Sequence, residues 1–133
     1  MALTGWLLDT SAAAKAEDPA IGRQLDDLAG SLYVCPVGEL EQLHSARSAA
    51  AYDVLREELH ASFEIVVSPG DIFERALRLQ QDLAHHRGMS HRTPISDLLV
   101  AETALHHALG VVHVDRHYER IAEVRPLQVK RLG

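Results

Sequence analysis

The sequence predicts an α/β domain in which a mostly parallel sheet is covered by helices on both faces. Three observations predict it. Short apolar, β-branched runs alternate with longer stretches of helical periodicity, Pro and Gly stand at the junctions, and two of the runs pass straight into an aspartate. Those two are Trp6-Leu7-Leu8, followed by Asp9, and Val111-Val112-His113-Val114, followed by Asp115. Alternation of this kind implies right-handed crossovers between parallel strands. In such a sheet the ligand crevice lies outside the carboxyl ends of the strands, so acids from distant parts of the chain can converge there.

Taken in order, the first strand is Trp6-Leu7-Leu8, and Ser11 to Lys15 has the composition of a short helix that Thr10 or Ser11 can cap. Pro19 to Leu28 reads as a second helix with Pro at its start, ended by Gly30. Leu32 to Val34 is a second strand. From Pro36 helical spacing resumes through Leu40, Leu43 and Ala46 and continues through Ala51, Leu55 and Leu59, as a helical pair or one bent helix. Phe63 to Val67 is β-branched and apolar, ends at Ser68-Pro69-Gly70, and reads as a third strand. Asp71 to His86 carries Ile72, Ala76, Leu79 and Leu83 at helical spacing, and the polar stretch from Arg87 to Thr93 is the expected mobile loop. Ile95 to Leu109 is a helix with Gly110 just past its end. The strand through Val114, a short helix around Tyr118 to Ala122, and an edge strand near Leu127 to Val129 complete the chain.

A length of 133 residues fits a single domain, residues 1–133, and a hydrophobic fraction of 47% with 24% charged residues is that of a folded globular protein. Cys35, the only cysteine, lies in the apolar stretch Leu32-Tyr33-Val34-Cys35-Pro36 and is expected to be a small buried side chain. With no disulfide, no basic stretch of the secretory kind between Met1 and Gly5, and no apolar run of bilayer length, the expectation is a cytoplasmic protein with no membrane partner. A net charge of −6 argues against adhesion to nucleic acid through a general basic field. It leaves room for a nucleic-acid enzyme whose carboxylates are neutralised by cations.

Helix phase selects the inward-facing acids. From Asp97, a rotation of about 100° per residue places Ala101, Ala104 and Ala108 within about 40° of its direction, at the head of a small-residue stripe, whereas Glu102 points elsewhere. In the earlier helix Glu39 shares a stripe with Leu43 and Ala46, and Glu41 lies about 160° away. Four carboxylates held about 6 Å apart repel by roughly 3 kcal/mol per pair at an effective dielectric of about 20, a total comparable with a domain's whole stability. Such a cluster needs cations or protons. Oxygen ligands without a Cys or His set favour Mg²⁺ or Mn²⁺. Singly, Asp9, Asp97 and Asp115 are also ordinary helix-capping or dipole-facing residues.

Four segments together resemble the PIN domain family, most closely its VapC-type toxins. They are Leu7-Leu8-Asp9-Thr10-Ser11-Ala12, Gly38-Glu39-Leu40, Asp97 through Ala104, and Val112 through Ala122. The resemblance spans almost the whole chain. It implies a three-layer α/β/α sandwich with a central, mostly parallel sheet, Mg²⁺- or Mn²⁺-dependent endoribonuclease activity, a homodimer, and inhibition by a VapB-like antitoxin. It assigns the acidic positions to Asp9, Glu39, Asp97 and Asp115, with Asp9, Asp97 and Asp115 holding the metal. Thr10 or Ser11 takes the hydroxyl position beside the first aspartate. Many relatives carry a further acid two residues after the last aspartate, and this chain has His117 there. The implied reaction is hydrolysis of an RNA phosphodiester by a water made more acidic by the ion, with Glu39 completing the metal shell through water or acting as general base. Arg87, Arg92 and Arg116 border the expected cleft and are candidates for phosphate contacts, Arg116 first among them.

Competing chemistries are weaker. Adjacent histidines point apart on a helix, and none forms a zinc-protease pattern. Gly-x-Ser-x-Gly, P-loop and Gly-x-Gly-x-x-Gly motifs are absent. The alternative reading is a non-catalytic PIN-like domain or a receiver-like signalling domain, although receivers place a lysine at a late strand end and the only lysines here are Lys15 and Lys130.

Overall fold

A computed structural model describes residues 3–133. Five strands and seven helices follow one another as β1 (Gly5–Leu8), α1 (Thr10–Ala13), α2 (Pro19–Asp27), β2 (Leu32–Val34), α3 (Pro36–His44), α4 (Ala49–Ser62), β3 (Glu64–Ile65), α5 (Ile72–His85), α6 (Ile95–His106), β4 (Leu109–His113), α7 (His117–Ile121) and β5 (Val129–Arg131). The strands form one parallel sheet in the order β3-β2-β1-β4-β5. The chain therefore works outward from β1 on one side, then crosses back to place β4 on the other. That reversal makes the carboxyl ends of β1 and β4 the topological switch point, where crevices open in this class of sheet.

Strand alternation builds two cores, one on each face. Leu7 and Val111 point to the side covered by α5, α6 and α7, where they meet Leu79, Leu83, Leu98, Ala101, Ala104 and Ile121. Leu8 and Val112 point to the other side and meet Ala12, Ile21 and Leu132. Helices on both faces of one sheet make the three-layer α/β/α sandwich that the sequence predicts.

Local chemistry explains the boundaries, including four that differ from expectation. Asp9, not Thr10 or Ser11, caps α1: its Oδ2 accepts the Ser11 N–H at 3.0 Å. Asp18 caps α2, accepting N–H bonds from Ala20 and Ile21, and Pro19 follows at the first helical position. Replacing Asp18 by alanine should cost about 1 kcal/mol, read from the midpoint of urea unfolding. Ser48 caps α4 through Ala51 N–H, so the long helical stretch is two helices. Strand β3 is shorter than expected because Phe63 still closes α4, and after Ile65 only Val66 N–H reaches Val34 across the sheet.

The helix before β4 stops at His106, three residues early, and Ala108 makes the turn at φ 56°. Gly110 lies inside the strand rather than capping the helix. A side chain there would lie 2.5 Å from the Trp6 ring, so the position requires glycine for close approach. At the C-terminus Leu127 enters the core, and the edge strand starts two residues later than expected. The loop from Arg87 to Thr93 is pinned at Ser90, whose N–H bonds Leu83, and at Thr93, whose hydroxyl donates to Ser90 C=O at 2.8 Å; both residues are buried.

Candidate metal centre and catalytic crevice

The crevice is built from three element junctions. Asp9 leaves the end of β1, Asp97 sits in the first turn of α6, and Asp115 lies in the turn between β4 and α7. Asp9 and Asp97 are buried and Asp115 half-buried. Tyr118 links the first two. Its side chain is fully buried, and its hydroxyl donates to Asp9 Oδ1 at 2.6 Å while lying 3.3 Å from Asp97 Oδ1. His117 links the second pair: its Nδ1 is 2.9 Å from Asp97 Oδ2 and 3.3 Å from Asp115 Oδ1. The His117 backbone N–H also donates to Asp115 Oδ1 at 3.0 Å, fixing that carboxylate's direction.

Electrostatics follow from this crowding. Burial, then the neighbouring charges of Asp9 and Asp115, push the Asp97 carboxyl up to about 7, against the opposing pull of His117. Near neutral pH, and without a cation, Asp97 therefore holds a proton much of the time. The single Tyr118 hydroxyl hydrogen is directed at Asp9, the nearer of its two carboxylate neighbours. Burial and the two carboxylates hold the Tyr118 hydroxyl well above its ordinary range, so it remains a donor. Beneath Tyr118 lies His113, fully buried, with ring centroids 5.2 Å apart and neither ring nitrogen hydrogen-bonded. Burial lowers its pKa and keeps it neutral.

Glu39 stands on α3, mostly buried, with its Oε1 2.7 Å from His60 Nε2 and 3.7 Å from Arg56 Nε. These two basic residues, one turn apart on α4, escaped the sequence analysis, although their i,i+4 spacing is a visible signal. Thr10 donates to Glu41 Oε1 at 3.3 Å, and the Ser11 hydroxyl accepts the Val114 N–H at 3.2 Å. Neither hydroxyl bonds an aspartate of the crevice: Ser11 orients Asp9 through its backbone instead. Arg87, Arg92 and Arg116 are exposed and form no ion pair among the described residues. Glu102 is buried away from the crevice against Arg125, at 3.3 Å. Tyr118 was the main omission at sequence level, where it reads as one more apolar residue of a short helix.

The donor set fits a hard or borderline divalent ion. Ligand atoms of Asp97, Asp115 and His117 lie within 4.8 Å of one another, the only such group among the described residues. Separations of 2.9 and 3.3 Å from His117 Nδ1 match the edge of about 3 Å in an octahedron with bonds of about 2.1 Å. Asp9 adjoins the group through Tyr118.

A parallel α/β/α sandwich that gathers carboxylates at its switch point defines an α/β domain with an acidic crevice. The chain belongs to the PIN domain family, in its VapC group: the family's sequence profile matches residues 6–124, and Ribonuclease VapC17 of Mycobacterium tuberculosis is 54% identical over 127 residues. That alignment covers 93% of this chain and 92% of the relative. Ribonuclease VapC21 of the same species is 36% identical over 123 residues, covering 91% and 88%. Among solved structures, DNA-bound VapBC from Salmonella typhimurium superposes with a TM-score of 0.74 at 17% identity, covering 97% of this chain and 98% of that one. VapBC-5 from Mycobacterium tuberculosis gives 0.68 at 19% identity, covering 96% and 98%. At such identities these structures speak to the fold alone.

Proposed function

We propose that this chain is a Mg²⁺- or Mn²⁺-dependent endoribonuclease, the toxin of a type II toxin-antitoxin pair, working in the cytoplasm as a homodimer restrained by a VapB-like antitoxin. One observation carries the reading: acids from three distant segments meet at the β1/β4 switch point in a chain 54% identical to a protein named as a ribonuclease. The rival receiver-like reading finds no lysine for its crevice, since Lys15 and Lys130 are both exposed and the Lys130 ammonium lies 5.9 Å over the Trp6 ring.

Asp97 and Asp115 would hold the ion, with Asp9 beside them. When bound, the ion makes an attacking water more acidic and stabilises the departing oxygen. The chain's own residues do the rest. Tyr118 and Ser11 N–H hold both oxygens of Asp9 in place, and His117 N–H orients Asp115. Glu39, steadied by His60 and Arg56, supplies the outer carboxylate, as proton acceptor or as a ligand through water. Arg116, exposed beside Asp115, is assigned to substrate phosphate. An antitoxin would silence the site most simply by inserting an Arg or Lys among these carboxylates. Inhibition that persists after every basic residue of its contacting segment is removed would refute that mode.

The test of the proposed activity is cleavage of total RNA by the purified chain with Mn²⁺ or Mg²⁺, against the same protein in EDTA and the Asp97→Asn variant. Cleavage in the first condition alone is expected. Equal cleavage in all three would refute the reading.

A further inference from the structure

His117 is where this chain departs from an all-carboxylate site. We propose that His117 Nδ1 is itself a ligand of the ion, completing a face of one nitrogen and two oxygens with Asp97 and Asp115, and that the site in consequence takes a divalent transition ion such as Mn²⁺ in preference to Mg²⁺. The inference rests on the metal-dependent reading above and sharpens it to a residue and a class of cation.

Geometry carries it. Three residues place donor atoms in one ion-sized space, and His117 Nδ1 lies 2.9 Å from Asp97 Oδ2 and 3.3 Å from Asp115 Oδ1. In the metal-free crevice the shorter contact is a hydrogen bond, and both distances equal the spacing of neighbouring ligands around one ion, so an ion can take the place of the shared proton with little movement of the ring. The ring is turned so that Nδ1 faces the carboxylates. The side chain is 45% exposed, so Nε2–H can remain hydrated while Nδ1 presents its lone pair. The backbone supports the arrangement: His117 opens α7 and its own N–H bonds Asp115 Oδ1, locking the two ligands into one turn. Asp9 is differently occupied. Both of its oxygens accept protein hydrogen bonds, from Ser11 N–H and the Tyr118 hydroxyl, which suits it to shape the site's charge from one side.

Ligand chemistry sets the preference. Mg²⁺ strongly favours oxygen donors and retains water in preference to nitrogen, whereas imidazole is a good donor to first-row transition ions. Replacing one carboxylate of a hard site by an imidazole also removes a negative charge, which weakens Mg²⁺ binding further. Mn²⁺, the hardest ion of that series, still accepts two carboxylates and waters beside the nitrogen.

The experiment is pulsed electron paramagnetic resonance of the full chain, stripped of metal and loaded with Mn²⁺, alongside calorimetric titration with Mn²⁺ and with Mg²⁺. The wild type should show ¹⁴N modulation from one imidazole. The modulation should vanish in both His117→Asp and His117→Ala, with Mn²⁺ affinity in His117→Ala down by about 10- to 100-fold. His117→Asp should gain affinity for Mg²⁺ relative to wild type. Mn²⁺ bound without nitrogen modulation, or modulation that survives both substitutions, would overturn the inference while leaving a metal-binding site in place. Failure of the wild type to bind either cation would overturn the inference and the metal-dependent reading together.

Discussion

Asp97→Asn should lower RNA cleavage by about a thousandfold, to background, while making the metal-free protein more stable at pH 8. The two effects share one cause. Asp97 is a buried carboxyl between Asp9 and Asp115, and its pKa is raised to about 7. The folded protein thus keeps a proton that the unfolded chain, with its ordinary aspartate, has already released. Stability therefore falls as pH rises from about 4 to about 7, and above that range the whole cost of the buried charge is present. At about 1.36 kcal/mol per unit the ceiling is about 4 kcal/mol, and relaxation around the partly hydrated crevice should bring it to about 2–3. Asparagine keeps the volume and loses the charge. In urea unfolding at pH 5 the two proteins should lie closer together than at pH 8, where the variant should win. Mn²⁺ at a hundred times its dissociation constant should restore about 2.7 kcal/mol to the wild type alone. A variant that cleaves RNA like the wild type would remove Asp97 from the chemistry. A difference in stability that does not change with pH would remove its raised pKa.

Tyr118→Phe should weaken divalent-ion binding by about 10- to 100-fold with the fold retained, because it removes the hydroxyl that bridges Asp9 and the proposed ligand Asp97 and leaves the ring. The hydroxyl is buried, donates at 2.6 Å to a carboxylate and lies 3.3 Å from a second. Its loss leaves Asp9 Oδ1 short of a donor in a buried place, with an expected cost of about 1.5–3 kcal/mol for a bond to a charged acceptor. Phenylalanine preserves the packing on His113, Leu98 and Ile121, so circular dichroism should be unchanged. Calorimetric Mn²⁺ titration then separates the positioning role from a packing role. Unaltered affinity would show that the hydroxyl serves folding only.

Much of this fold was legible in the chain because burial imposes periodicity. The strand segments around Leu7, Val34 and Val111 are short and apolar, as strands covered on both faces must be, and Ile72, Ala76, Leu79 and Leu83 mark the core face of α5. Element ends were less legible. Gly110 looked like a helix stop because glycine commonly is one, yet it is needed inside β4 for the approach of Trp6, and Ala108 takes the left-handed turn. Leu40 lies on an apolar-looking stripe but is exposed.

Chain composition and order determined the kind of molecule: a parallel α/β sheet with aspartates after β1 and β4 and in the first turn of α6. Those features are local, set by side-chain periodicity and by which residues suit strand ends and helix starts. Only tertiary structure decided what the acids do to one another. The Tyr118 hydroxyl is 109 positions from Asp9, and His117 is 20 from Asp97, so neither bond leaves a mark in sequence spacing. The charge coupling that raises the Asp97 pKa, and the turn of His117 Nδ1 toward two carboxylates, exist only because packing of α6 and α7 against the sheet brings these groups within a few ångströms. Coulomb energy depends on that distance and on burial, and neither is a property of the chain until it folds.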